Sequence, residues 1–358
     1  MEIMSNKEAL LIRELRDTTS GWTKGDGPLN HIVVSTRLRL ARNIQDIPFP
    51  FKANPNQLEQ VLKKSENLIK NNSFFQDFKL IKIDDLTDLD IQFLVEKRLI
   101  SLSLAQLGYP YRAFIYKPDE IISIMVNEED HFRIQCLLPG FQLEKVWEII
   151  DCYDDQIMKE IEYSFNENEG FLTCCPTNAG TGLRASVMLH LPGLFYKNKL
   201  NDLLSSISKT GYAVRGFYGE GTDFQGNLFQ VSNQVTMGLK ENEIIKKLEM
   251  ISRLLIDEEE RAREELMLHS RQRIEDQILR AYGILTNARI ISTLEAIDLL
   301  SKIRFGIELG IFTKIGYDTI NRLMLIIQSA YIQLLKNKKM NENERDIARA
   351  KIIQELLD

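Results

Sequence analysis

Two arginines, Arg37 and Arg39, stand in the run His31-Ile32-Val33-Val34-Ser35-Thr36-Arg37-Leu38-Arg39-Leu40, whose alternation is that of a strand. Period two projects both guanidiniums from one face with Ser35 and turns Val34, Thr36, Leu38 and Leu40 to the other. Like charges at that spacing repel unless an anion lies between them. A second stretch, Cys174-Cys175-Pro176-Thr177-Asn178-Ala179-Gly180-Thr181-Gly182-Leu183-Arg184, reads as a tight loop, rich in turn formers and poor in groups worth burying. It feeds a strand with Arg184, Ser186 and His190 on one face, so a thiol and an arginine meet at one sheet edge. A third, Asn127-Glu128-Glu129-Asp130-His131, sets an acidic triplet before a strand on which His131, Arg133 and Gln135 oppose Phe132, Ile134 and Cys136. A fourth, Val214-Arg215-Gly216-Phe217-Tyr218-Gly219-Glu220-Gly221-Thr222, brackets one carboxylate with glycines, a backbone freedom suited to a mobile or closely approaching loop. Taken singly, each also fits an ordinary polar loop or a solvated strand face.

Elements of two kinds must position these groups. All nine prolines lie at or before Pro192, which marks a change of architecture. Before it, alternating runs include a hairpin from Ala113-Phe114-Ile115-Tyr116 through Lys117-Pro118-Asp119-Glu120 to Ile121–Val126. Helical spacings are predicted for Ala9 to Leu15, for most of residues 55 to 108, for Leu143 to Tyr163 and for Lys199 to Lys209. Leu228 to Thr236 reads as a further strand. From about Glu241 the pattern is helical to the end, with Ile244, Leu248, Ile251, Leu255, Ala262 and Leu266 on one stripe. Ser292-x-x-Glu295 has capping-box form, and Ile320 to Leu335 reads as one apolar helix. The fold class is therefore α+β: an antiparallel sheet flanked by helices, followed by an all-α bundle.

A net charge of -6 argues against nucleic-acid binding by bulk electrostatics, so any anion site is local. Apolar runs fall far short of the ~20 residues of a spanning helix. The N-terminus lacks the apolar core of a secretory signal, so a cytoplasmic chain is expected. Four cysteines without Cys-x-x-Cys spacing suggest neither a disulfide framework nor a zinc site.

Jointly and in order, the four stretches resemble the phosphagen (guanidino) kinase family over roughly residues 30 to 240. Asn127 to His131 matches its Asn-Glu-Glu-Asp-His element, Cys175-Pro176-Thr177-Asn178-x-Gly180-Thr181 its cysteine signature, and Arg215 to Glu220 its Arg-Gly-x-x-Gly-Glu loop. Within the family the chain is most similar to the bacterial protein-arginine kinases (McsB type). Arg345-Asp346-Ile347-Ala348-Arg349-Ala350 matches their Arg-Asp-x-x-Arg-Ala motif, and the strand of Arg37 begins too early for the helical N-terminal domain of enzymes acting on free guanidino compounds. The resemblance implies a segment 1–29, a catalytic domain 30–240 and a helical domain 241–358 with a dimer contact. It assigns nucleotide contacts to Ser35, Thr36, Arg37, Leu38 and Arg39; to Arg98, where a histidine is usual; to Arg133; to Arg184, Ala185, Ser186, Val187 and Met188; and to Arg215, Gly216, Phe217, Tyr218, Gly219 and Glu220. It makes Glu129, Glu220 and Cys175 the catalytic groups, and residues 345–350 a phosphoarginine pocket in which Arg345 and Arg349, on one helix face, clamp a phosphate while Asp346 takes the guanidino nitrogens.

The chemistry so implied is phosphoryl transfer, which needs in-line placement and positive charge around the phosphoryl oxygens. Arginines supply that charge as planar donors, in place of a P-loop. Magnesium arrives with ATP, and no protein metal site is implied. The acceptor guanidinium, with a pKa above about 12, offers no lone pair until a base takes its proton. Glu129 is the fixed base, Glu220 arrives with its loop, and Cys175 orients the guanidinium. The function implied is an ATP-dependent kinase for arginine side chains in proteins, with an activator protein, a Clp-type unfoldase and protease, and a heat-shock repressor as partners. The alternatives are a kinase for free arginine and a catalytically weak phosphoarginine-binding adaptor.

Overall fold

The computed structural model describes residues 6–216 and 225–357. In chain order the elements are α1 (Asn6–Asp17), β1 (Val33–Arg42), α2 (Pro55–Asn71), β2 (Lys79–Lys82), α3 (Asp88–Glu96), α4 (Leu102–Gln106), β3 (Ala113–Tyr116), β4 (Ile122–Val126), β5 (Phe132–Pro139) and α5 (Leu143–Met158). A short ribbon, β6 (Phe165–Asn166) and β7 (Gly170–Phe171), leads to β8 (Leu183–His190), α6 (Pro192–Tyr196), α7 (Leu200–Ser208), β9 (Tyr212–Gly216) and β10 (Leu228–Asn233). Five helices finish the chain: α8 (Glu241–Asn287), α9 (Thr293–Glu308), α10 (Tyr317–Ile326), α11 (Ser329–Leu335) and α12 (Glu342–Leu357).

Eight strands form one antiparallel sheet in the order β2-β3-β4-β5-β1-β8-β10-β9, the α+β class expected. Its two faces are chemically unlike because each strand alternates. Leu38 and Leu40 of β1, Ile134 and Cys136 of β5, Leu183, Ala185 and Val187 of β8 and Val231 of β10 point to the far face. There they pack under α2, α5, α7 and the first half of α8, through Ile244, Leu248, Leu255 and Ala262. The near face carries the arginines at its centre. Around them a second core joins Trp22, Phe93, Phe114, Leu137 and Met188 to residues of α9 through α12 such as Leu300, Leu323 and Ile353.

The helical C-terminal part therefore covers the near face of the sheet. It is tied on by α8, which kinks at Ser270 (φ −141°, ψ 19°) and sends Ala281 and Leu285 into the second core. Capping follows from sequence: Asn54 and Gln57 form a reciprocal box with Pro55 at the first turn of α2, and Ser292 accepts from Glu295 N at the start of α9. Gly182 has φ +66° where the chain enters β8, and a Cβ there would sit 2.5 Å from Arg42 Nη1, so only glycine fits. No described helix is long and apolar enough to cross a membrane.

Three expectations are corrected. The helical reading of residues 55 to 108 contains an edge strand, β2, whose residues do not alternate, and α3 stops at Glu96 because Arg98 takes φ +64°. The Arg215 stretch begins as a strand, with Arg215 opposite Gln230. Ile320 to Leu335 is two helices, α10 and α11, broken at Ile327-Gln328.

Candidate active site

The near face holds a cavity of about 860 Å³ lined by Arg37, Arg39, Arg98, Arg133, Arg184 and Arg215, together with Glu129, Cys175 and Asn178. Strand register explains the gathering. Arg39 faces Arg184 across β1 and β8, Arg133 lies opposite Ala41 on the adjoining β5, and Arg215 on β9 faces Gln230 of β10. Gln230 in turn accepts from Arg37 Nη2 at 2.8 Å.

Cross-strand guanidiniums repel, and the electrostatics record it. Burial, then the charges of Arg98, Arg133, Arg184 and Arg215, push Arg37 down to about 9. Burial, then Arg37, Arg133 and Arg184, lower Arg39 well below the usual arginine range, and its buried Nε has no hydrogen-bond partner among the described residues. Burial is the larger cause of both shifts, and the repulsion that adds to it marks positive charge that an anion would neutralise.

Carboxylates of the acidic turn divide their work. Asn127 N donates to His131 O at 3.0 Å and Glu128 N to Asp130 O at 3.1 Å, which closes a tight turn with Glu129 at its tip. Glu128 is buried; it accepts from Arg133 Nη1 at 2.5 and 2.8 Å and from Ser101 Oγ. Burial alone would raise its carboxyl, but the charge and hydrogen bonds of Arg133 outweigh this and hold it low. Asp130 accepts from Cys174 N at 2.7 Å and Asn43 Nδ2 at 2.6 Å, riveting the acidic turn to the cysteine loop. Buried His131 donates through Nε2 to Pro48 O at 3.0 Å and accepts at Nδ1 from Ile44 N at 3.0 Å; burial lowers it to about 4, so it is a neutral strut. Glu129 alone is exposed.

Cys175 is half-buried, with Sγ 3.0 Å from Thr177 Oγ1. Thr236, just past β10, donates to Thr177 O and Ala179 O at 2.9 and 2.6 Å, so the cysteine loop is held from the sheet. Burial, then Asp130 and Glu129, push the neighbouring Cys174 thiol up to about 11, which leaves it inert at neutral pH.

Other expected site residues divide by face. Leu38, Ala185 and Val187 pack in the far-face core, so their side chains cannot reach the cavity; the alternation that presents Arg37, Arg39 and Arg184 turns them away. Thr36 donates to Gly140 O at 2.6 Å, Ser186 to Arg37 O at 3.2 Å, Met188 packs in the second core, and Ser35 is buried. Gly216 ends β9, while Phe217, Tyr218, Gly219 and Glu220 lie outside the described residues.

On α12 the motif residues Arg345, Asp346 and Arg349 already have partners within the protein. Arg349 is 1% exposed and donates to Ile327 O at 2.9 Å, to Ile291 O at 2.8 Å and to Asp346, so Asp346 holds Arg349. Arg345 donates to Met340 O at 2.9 Å, and Ile347 is exposed while Ala348 is half-buried and Ala350 buried. Three and four residues of helix separate these groups, yet the packing of α12 sends one arginine inward.

Several cavity residues carried no sequence signal. Trp22 lines it with the Arg98 guanidinium 4.3 Å from its ring centre, and Met324, Leu325 and Gln328 reach it from the break between α10 and α11. Glu96 caps that break, accepting from Ala330 N and Tyr331 N, each at 2.9 Å. Burial, opposed by these N–H groups, pushes the Glu96 carboxyl from 4.5 up to about 7. A raised carboxyl pKa favours the native state fully below the unfolded value and loses that contribution as pH climbs through the folded one. Relative to Glu96→Gln, the wild type is therefore expected to lose thermal stability between about pH 4.5 and about pH 7. Parallel melting profiles of the two proteins across that window would refute it.

Comparison with known proteins gives the following. A family profile described as the ATP:guanido phosphotransferase C-terminal catalytic domain matches residues 60–262, and one described as the protein-arginine kinase McsB C-terminal domain matches residues 271–358. The chain is 46% identical over 344 residues to the protein-arginine kinase of Moorella thermoacetica, covering 95% of this chain and 98% of that one. It is 41% identical to that of Bacillus subtilis, covering 96% and 94%. Among solved structures, lombricine kinase superposes with a TM-score of 0.59 at 24% identity over 66% of this chain and 68% of that one. The duplicated taurocyamine kinase from Schistosoma mansoni gives 0.59 at 24% identity, over 65% of this chain but only 33% of that one.

Proposed function

The chain belongs to the ATP:guanido phosphotransferase family, among the protein-arginine kinases, and from that premise we propose that it transfers the γ-phosphoryl group of ATP to guanidinium groups of arginine side chains in proteins. One observation carries the reading: strand arginines with excess positive charge share a cavity with the exposed carboxylate of Glu129 and the thiol of Cys175. In this reading Arg37, Arg39, Arg133, Arg184 and Arg215 grip the phosphates, and Glu129 pairs with the substrate guanidinium. A guanidino nitrogen attacks the γ-phosphorus as the bond to the β,γ-bridging oxygen breaks, ADP leaves with that electron pair, and the nitrogen's proton passes to Glu129. Glu220 is the second carboxylate and Cys175 orients the acceptor. Among the described residues no group of three His, Cys, Asp or Glu side chains could hold a metal. Magnesium enters as part of the substrate, on phosphate oxygens and water.

The wider role of this reading is cytoplasmic protein quality control: marking proteins for a Clp-type protease and relieving a heat-shock repressor, with an activator protein and homodimerisation through the helical domain 241–358. Leu268 and Met250 of α8, 78% and 68% exposed, are apolar groups a dimer contact would cover. The motif Arg345 to Ala350 supports a phosphoarginine site on α12, with Arg345 as its accessible arginine.

The deciding assay incubates the protein with Mg-ATP and either an unfolded arginine-rich protein or free arginine, then measures acid-labile N-phosphate. Label on the protein alone is the expected result. Label on free arginine favours a phosphagen kinase, and label on neither with ATP bound favours an adaptor.

A further inference from the structure

We infer that the surface around the acidic turn binds the substrate chain on both sides of the acceptor arginine, through Leu102 of α4 and Phe51 of the loop before α2, and selects apolar side chains two residues before and after that arginine. The inference rests on the protein-arginine kinase reading, and it starts from where the acceptor must enter. Its guanidinium lies against Glu129, at the exposed tip of the acidic turn. The backbone that carries it must therefore pass over that turn.

Two short segments hold the turn by its ends, and each presents an exposed apolar group. From Arg98 the chain climbs the near face toward the turn: Arg98 O accepts from Gln135 Nε2 at 2.7 Å, Ser101 N donates to Met125 Sδ at 3.3 Å, and Ser101 Oγ donates to Glu128. Leu102 comes next; it lines the cavity and is 56% exposed. Ser101 Oγ also accepts from Leu104 N at 3.0 Å, which fixes the start of α4 and with it Leu102. At the other end of the turn, His131 bonds Ile44 N and Pro48 O, and past Pro48 the loop closes with Lys52 N and Ala53 N on Phe49 O at 2.8 and 3.0 Å. Phe51, 51% exposed, stacks on Phe49 with 6.4 Å between ring centres.

Single exposed apolar residues are common on protein surfaces, but these two are tied by hydrogen bonds to the turn that carries Glu129. An extended chain turns its side chains at −2 and +2 to the same side as the acceptor, roughly 6.6 Å away, and those at −1 and +1 to the opposite side. Leucine or phenylalanine at −2 and +2 would therefore meet Leu102 and Phe51, and covering these apolar groups adds to binding. A folded substrate buries such side chains, so the occupant is an extended, unfolded segment.

The full chain is assayed with Mg-ATP on three heptapeptides: Gly-Leu-Gly-Arg-Gly-Leu-Gly, Gly-Gly-Leu-Arg-Leu-Gly-Gly, and one with only glycine around the arginine. The first should show a kcat/KM about tenfold above the other two, chiefly through KM. Leu102→Ser and Phe51→Ser should each remove part of that advantage and together all of it. The glycine peptide should react with both variants as with wild type, which controls for folding. An advantage no greater than that of leucine at −1 and +1, or one that survives the double variant, overturns the inference. Label on an unfolded protein with none on any peptide overturns it too, since the flanks then do not recruit the chain. Label on free arginine, with none on peptides or protein, would instead sink the protein-arginine kinase reading itself.

Discussion

Glu129→Gln is expected to lower turnover on a protein substrate by about 10²- to 10⁴-fold, the usual range for removing a positioned general base. ATP affinity should barely change, since the phosphates rest on the arginines. The geometry makes the variant clean. Glu129 is the exposed tip of a turn whose other polar members all have structural partners: Glu128 with Arg133 and Ser101, Asp130 with Asn43 and Cys174 N, His131 with Pro48 O. Losing the Glu129 charge should leave the turn standing. Glu128→Gln, by contrast, breaks the buried pair with Arg133 and should cost stability as well as rate. Turnover at wild-type level in Glu129→Gln would end the assignment of Glu129 as base.

Lys97→Ala should be strongly destabilising, by about 3–5 kcal/mol, because it strands a buried carboxylate. Lys97 and Glu120 are 2.6 Å apart with side chains 0% and 2% exposed. Burial lowers Lys97, and the attraction of Glu120 opposes it. Glu120 also accepts from Thr18 Oγ1 and Ser20 Oγ at 2.6 Å each, and Lys97 reaches Leu15 O and Thr18 O. The pair therefore pins the segment that carries Trp22 into the cavity. Denaturant unfolding measures the loss, and a raised KM for ATP should accompany it. The double variant Lys97→Met, Glu120→Gln should recover much of the stability, since neither partner is then a lone buried charge. A single variant as stable as wild type would show that the pair contributes nothing.

Much of the site was legible because alternation is local. In β1, β5 and β8 the period of two was enough to put Arg37, Arg39, Arg133 and Arg184 on one face, and the sheet they share does no more than bring those faces into register. The acidic turn was visible as a cluster, and the motif picked out Glu129; that Glu128 and Asp130 are struts depends on Arg133 and on the cysteine loop, 44 residues away in the case of Cys174. The edge strand β2 was missed because Lys79-Leu80-Ile81-Lys82 does not alternate, and the strand that begins at Tyr212 because it runs into the glycines that follow Arg215.

The amino-acid sequence by itself determined the class of fold, the chemistry of the near face and the carboxylate and thiol that meet it, since each depends on residue type and on spacing within one element. Only the tertiary structure decided what closes the cavity. Arg345 and Arg349 share a motif, yet packing of α12 buries Arg349 against Ile327 O and leaves Arg345 half-buried near the surface. Ile320 to Leu335 is helical throughout by pattern, yet it breaks at Ile327-Gln328, where Glu96 of α3 caps the α11 N-terminus. Which carbonyl an arginine finds, and where an apolar helix breaks, follow from partners far away in the chain, and no local periodicity records them.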